Sequence, residues 1–310
     1  MSKTAPLPIF TLQCEKYIAQ CMLFNLDFHI LYAGTQTGEI LIYDLESNRL
    51  KNVKKANTLC ILSLELFKSP NRLVSQNKTG EVQFWQIDGF ELVLCYTLST
   101  NEIGFCKLAS YKTNMILCKG DKSTVSCFST ITYNKITVID PQQNDDLGDI
   151  MVIKSIDSYV FCGYEANTIV VWKEDCIINM LNFPELECLI ALDVDSNVTK
   201  GICAGSSNMI NSFHIENDQL HFKKSIKITN PGVNTLQVRP DNKIVAAACW
   251  DHMVRLFSWK SMKLLVILDS HSTGVLNIVY SESRETFWKA KYILAIANKD
   301  NRITLWDVYN

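Results

Sequence analysis

The chain has 310 residues, 47% hydrophobic and 20% charged, with 30 basic against 32 acidic side chains and a net charge of −2. That balance excludes a strongly basic nucleic-acid binder, which needs clustered Lys and Arg, and the apolar fraction excludes a disordered chain. No apolar run reaches the roughly 18 residues of a membrane span and residues 1–6 lead into no signal-peptide core, so a soluble intracellular protein is expected.

In chain order, the first predicted element is the apolar strand Ile9-Phe10-Thr11-Leu12, which stands outside the units that follow. Thereafter one unit recurs, in which a small or polar residue precedes by five places an aromatic that ends a strand. Gly38 leads to Tyr43, Gly80 to Trp85, Ser123 to Phe128 and Asn167 to Trp172, then Asn208 to Phe213, His252 to Phe257 and Asn301 to Trp306. The aromatics are spaced by 42, 43, 44, 41, 44 and 49 residues. Within a unit the order is also constant. An apolar strand such as Ile61–Leu66 or Val233–Val238 comes first, then a polar turn such as Arg239-Pro240-Asp241-Asn242. A nearly all-apolar strand follows, as at Ile244–Cys249 or Tyr292–Ala297, then the aromatic-ended strand and a more variable fourth, such as Lys263–Leu268.

Four short strands per unit, seven times, predict an all-β protein: a single seven-bladed β-propeller. The expected blades are 17–56, 57–100, 101–141, 149–185, 186–230, 231–270 and 271–310. Only three residues follow Trp306-Asp307, so the last unit lacks a fourth strand. The N-terminal strand, within 8–13, is expected to supply it and to close the ring, leaving no open sheet edge.

The twelve cysteines are scattered singly, with no C-x-x-C pair, and read as reduced core thiols. Asn77 and Asn197 open Asn-x-Thr triplets that would matter only in a secreted chain. The sequence holds no phosphate-binding glycine loop, no H-E-x-x-H and no G-x-S-x-G, and His29, His214, His221, His252 and His271 show no ligand spacing. The expectation is a non-enzyme with no cofactor and no metal.

Trp306-Asp307 at a strand end, Asp300 six residues before Trp306, Asp251 in the same relation to Phe257, and His271 before the first strand of the last unit resemble the WD-repeat family. The resemblance implies a buried structural network joining His271, Asp300 and Trp306, with Asp251 as the turn acid of the preceding unit. Elsewhere the turn position holds Thr37, Thr79, Lys122, Ala166 or Ser207, and glycines number only 12. Within the family, Asn230-Pro231-Gly232-Val233, the run Val238 to Ile244, Trp250 to Phe257, Ile103-Gly104-Phe105-Cys106, Gly163-Tyr164-Glu165 and Lys299 to Trp306 are similar to G-protein beta-like proteins. That likeness implies an adaptor working with a co-chaperone complex to stabilise phosphatidylinositol 3-kinase-related kinases, and hence a role in the DNA-damage response. It implies a monomeric ring within a complex, in the cytoplasm, with the nucleus left open. The alternative is a G-protein beta-like signalling subunit. Only about eight residues, including Pro6 and Pro8, precede the first strand, and no heptad for pairing with a gamma subunit fits them.

Partner-binding candidates follow from the meander. Turns between second and third strands share one face with the interblade connections, which places Tyr164, Glu165, Trp250 and His252 together. An aromatic beside charges in an exposed turn suits a hot spot; the competing reading packs Trp250 under its own turn, makes Tyr164 a spacer and leaves His252 solvated. The interblade run Asp140–Asp149, with four Asp, belongs to the same face and is either a solvated loop or a contact for a basic partner. The insertion Ser281–Lys291 lies on the opposite face, where Phe287 and Trp288 either dock a partner or pack on the blade.

Overall fold

The computed structural model describes residues 6–27, 29–141, 145–174, 176–282 and 292–309. Among them the strands form seven four-stranded sheets, six of which follow chain order. These blades span 19–55, 61–99, 109–139, 150–182, 189–227 and 233–268. The seventh contains Val275–Tyr280, Leu294–Asn298 and Arg302–Trp306, and its fourth strand is Phe10–Gln13. That strand pairs antiparallel from Phe10 opposite Leu305 to Gln13 opposite Arg302, and Ile9 N–H extends the ladder to the Leu305 carbonyl at 2.8 Å. The fold is therefore a seven-bladed propeller closed by its N-terminal strand.

A blade is sandwiched between two neighbours, so its inner strands are buried on both faces and read as continuous apolar runs rather than alternating ones. Ile244–Cys249, buried at every position, is an example. The core accordingly takes the form of seven separate clusters, one at each blade junction. The closing junction is of the same kind as the rest: Leu12 and Leu305 pack with Leu31, Leu41 and Tyr43 of blade 1. All seven periodic aromatics are buried. In blades 1 to 6 the pairing of third and fourth strands slips by one residue immediately before the aromatic. Such a bulge increases local twist, which a radial blade requires.

A second slip recurs in the first strand, at Ala19/Cys21, Ile61/Ser63, Ile150/Val152, Leu189/Ala191, Val233/Thr235 and Val275/Asn277. The extra residue at each slip, Gln20, Leu62, Met151, Ile190, Asn234 and Leu276, lines the central channel. In blade 3, whose first strand starts only at Ala109, Lys107 lines it instead.

Candidate protein-binding face

In blades 1, 2, 4, 5 and 6 a backbone hydrogen bond ties the second-to-third-strand turn to the incoming interblade loop: Gln36 N to Ile18 O, Lys78 N to Cys60 O, Glu165 N to Asp149 O, Ser206 N to Cys188 O and Trp250 N to Gly232 O. These turns and loops form one face, around one mouth of the channel.

Tyr164 requires correction. It is fully buried, in the junction between blades 3 and 4, and its hydroxyl donates to the Ser123 carbonyl at 2.9 Å. It ends a strand buried from Val160 onward, so its side chain points into the interblade core and offers nothing to a partner. Glu165, one residue on, is exposed. Trp250 combines both readings. Its ring is 46% exposed, yet it covers Gly232, where a Cβ would fall 2.0 Å from the ring. Gly232 also has a φ of 96°, which favours glycine. The Trp250 indole N–H donates to Asn234 Oδ1 at 2.7 Å, which fixes the ring beside the channel mouth. His252 is half-buried in the same turn, at a left-handed φ of 62°. Phe287 and Trp288 lie outside the described residues.

His271, Asp300 and Trp306 come together in blade 7 through a residue that the sequence reading did not name, Thr304. The Trp306 indole donates to Thr304 Oγ1 at 2.8 Å, and His271 Nε2 lies 2.9 Å from the same oxygen. Asn298 Nδ2 meets His271 Nδ1. An amide nitrogen can only donate, so Nδ1 accepts, and the neutral ring carries its proton on Nε2 and gives it to Thr304. Asp300 Oδ2 stands 3.8 Å from Nδ1 and pairs with Arg302. Burial holds the His271 imidazole below its ordinary value, with Asp300 pulling the other way. Asp251 is a correction of another sort. It takes no part in a His–Trp network, because Arg255 stands two places before Phe257, where blade 7 has Thr304. The carboxylate accepts both Arg255 nitrogens at 2.9 and 2.6 Å, and Phe257 has no donor to contribute.

The strongest exposed features of the face were not singled out from sequence as binding residues. Ile103 and Phe105 in the loop between blades 2 and 3 are 68% and 65% exposed, and Leu59 in the preceding interblade loop is 43% exposed. Lys78 joins the two loops. Its N–H donates to Cys60 O, its carbonyl accepts Gly104 N–H at 3.3 Å, and its ammonium sits 4.6 Å from the Phe105 ring centre. Phe105 also lines the channel, so it and Trp250 flank the same mouth. The only signal for these residues was large apolar side chains in a segment that the repeat makes a surface loop.

The channel itself encloses about 650 Å³. One level below the mouth, two residues past the slip in the first strands of blades 2, 4 and 5, stand Glu65, Lys154 and Asp193. Lys154 pairs with Asp193 at 2.7 Å. Burial pushes the Glu65 carboxyl up to about 7, while Lys154 and a hydrogen bond from Ser110 draw it down. Burial likewise lowers the Lys107 amine. Among the described residues no group of three or more His, Cys, Asp or Glu is placed to hold a metal ion, and no helix is long and apolar enough to cross a membrane.

Comparison with known proteins agrees with this architecture. The family described as WD domain, G-beta repeat matches residues 222–258, within blades 5 and 6. Guanine nucleotide-binding protein subunit beta-like protein 1 of Mus musculus is 25% identical over 295 residues, covering 90% of this chain and 88% of that protein. ASTRA-associated protein 1 of Schizosaccharomyces pombe is 22% identical over 381 residues, covering 98% and 99%. The β-propeller domain of Cps50 (Swd1) from Myceliophteria thermophila superposes with a TM-score of 0.80 at 14% identity, over 97% of this chain and 99% of that one, which shows the fold alone. The chain is a seven-bladed propeller with a WD repeat at residues 222–258, and it is similar over its length to the first two proteins.

Proposed function

We propose that this WD-repeat propeller is a non-catalytic adaptor whose channel-mouth face receives protein partners. The observation that carries the reading is the pair Phe105 and Trp250, large aromatics left 65% and 46% exposed at one mouth on separately braced turns. Exposed aromatics on a rigid base are the residues that dominate protein–protein binding energy. Homology to a G-protein beta-like protein and to an ASTRA-associated protein supports membership of a larger assembly. The finer reading is that the ring, as a monomer within a co-chaperone complex, supports the stability or maturation of phosphatidylinositol 3-kinase-related kinases in cytoplasm and nucleus, and so serves the DNA-damage response.

The test is purification of tagged protein from cells with identification of what accompanies it. Kinase and co-chaperone components are expected. Recovery of a G-protein gamma subunit with neither would overturn the adaptor reading in favour of a G-protein beta-like signalling subunit. Phe105→Ala with Trp250→Ala is expected to lower recovery by at least about tenfold, since each removes a large apolar anchor. Undiminished recovery would place the interaction on another face.

A further inference from the structure

The binding face is not uniform in charge. Past Phe105 the rim turns acidic: Asp146, Asp149, Glu165, Glu185 and Glu187 are all exposed, in the two interblade loops that flank blade 4 and in its own turn. The acids are contiguous with the apolar patch. Lys119 runs beneath Gly104, where a Cβ would stand 3.2 Å from its Cδ, and its ammonium reaches Asp149 at 3.5 Å and Glu102 at 4.0 Å. Glu165 then follows through its backbone bond to Asp149, and the Ser206 bond to Cys188 anchors the loop carrying Glu187. Lys119 is nearly buried and already committed. Among the described residues no Lys or Arg pairs with Asp146, Glu165, Glu185 or Glu187. The exposed bases on this part of the face are Lys78, whose ammonium rests on the Phe105 ring, and Lys122, next to Asp121 in the chain.

Four unpaired carboxylates held on one rim repel one another, and the chain as a whole is almost neutral, so this sector is a local excess. A partner's cations would relieve that repulsion. The adjoining Leu59, Ile103 and Phe105 supply apolar contact that cations alone would not use. We infer that this face takes an extended segment of a protein partner in which Lys or Arg residues lie beside one or two large apolar side chains, the apolar anchors on Phe105 and Ile103 and the cations over the acidic rim. The inference rests on the adaptor reading and adds the chemistry of the segment bound. Long-range attraction steers such a segment in and sets its direction across the mouth, while the anchors govern how long it stays.

The experiment uses the purified full chain and three labelled peptides, with fluorescence anisotropy as the readout. One has lysines on both sides of a Leu-Phe pair, one has Glu for each Lys, and one has Ser for the Leu-Phe pair. The first is expected to bind, and both controls to bind at least about tenfold more weakly. Glu165→Lys with Glu187→Lys, and separately Phe105→Ala, are each expected to weaken the first peptide by about tenfold. Raising salt should weaken it further, because exposed charges are screened within about 8 Å at physiological ionic strength. Ile131→Ala, in the exposed turn between the third and fourth strands of blade 3 on the opposite face, serves as the control that changes nothing. All these positions are exposed, so the variants are expected to unfold with the parent. Equal binding of the Lys and Glu peptides, or binding indifferent to both sets of substitutions, would overturn the inference. The two readings fail separately. If kinase and co-chaperone components are recovered equally by the Glu165→Lys, Glu187→Lys variant, this inference alone falls. If the Lys peptide binds as expected but no such component is recovered from cells, the adaptor assignment alone falls.

Discussion

At the scale of single residues, Thr304 is the hinge of blade 7's polar interior, because one hydroxyl accepts from both the Trp306 indole and the neutral His271 ring. Thr304→Val keeps the shape and leaves two buried donors unsatisfied. It is expected to cost about 2 kcal/mol or more in urea unfolding, given about 1–3 kcal/mol for each orphaned group. The same geometry sets a pH dependence. His271 is held below its ordinary value of 6.5, so between that value and its lowered one the unfolded chain binds the proton and the native chain does not. The contribution of His271 to stability therefore falls as pH drops through that window, where a proton on Nδ1 would confront the Asn298 amide. Glu65, raised to about 7, works the other way over the same range, so the measurement is a difference: on acidification below about 6.5 the parent's unfolding midpoint should fall relative to that of His271→Gln. A His271→Gln variant with the same slope as the parent would reject the assignment. Residue roles of this kind were only partly legible in sequence. His271, Asp300 and Trp306 stood at family spacing, but Thr304 looked like any β-branched strand residue. Tyr164 and Trp250 both end an apolar run beside charges. One continues its strand into an interblade core, while the other lies past its strand end and rests on Gly232.

At the scale of elements, strand existence and order were readable because each unit repeats the same apolar, turn and aromatic sequence. What the pattern hid was the register. In six of the blades the slip in the first strand rotates one residue into the channel, and period-two reasoning assigns every later residue of that strand to the wrong face. Glu65, Lys154 and Asp193 thus look like surface charges in sequence, although they meet at one level of the channel wall. Close packing between blades sets a further limit. In blade 5, a Cβ on Gly205 would fall 1.5 Å from the Cys188 carbonyl, a backbone atom that cannot step aside without moving the interblade loop. Gly205→Ala is expected to destabilise by about 2 kcal/mol or more, at the upper part of the range for overpacked cores, as read by equilibrium denaturation. An unchanged midpoint would mean that the loop between blades 4 and 5 is looser than its hydrogen bonds imply.

At the scale of the whole molecule, stability is that of a ring, with seven junction clusters and no spare terminus among them. Phe10–Gln13 contributes four residues of pairing, but it carries Leu12, which is buried in the closing cluster. Deleting residues 1–13 is expected to expose the Arg302–Trp306 edge and to remove Leu12 from that cluster, giving self-association on gel filtration and a lower, broader melt. Leu12→Ala, a milder change, should cost about 2–4 kcal/mol while the ring stays monomeric. A deletion that remains monomeric with an unaltered melt would show that closure does not hold the ring. The count of blades, the all-β class and the N-terminal closure were all present in the periodicity, since each unit must bury two sheet faces and an unpaired last strand must find a partner. Tertiary structure alone decided which side chains on the binding face reach solvent and which channel charges meet. Exposure and charge proximity arise from how seven units converge on one axis, bringing Phe105 to the same channel mouth as Trp250, 145 residues away in the chain.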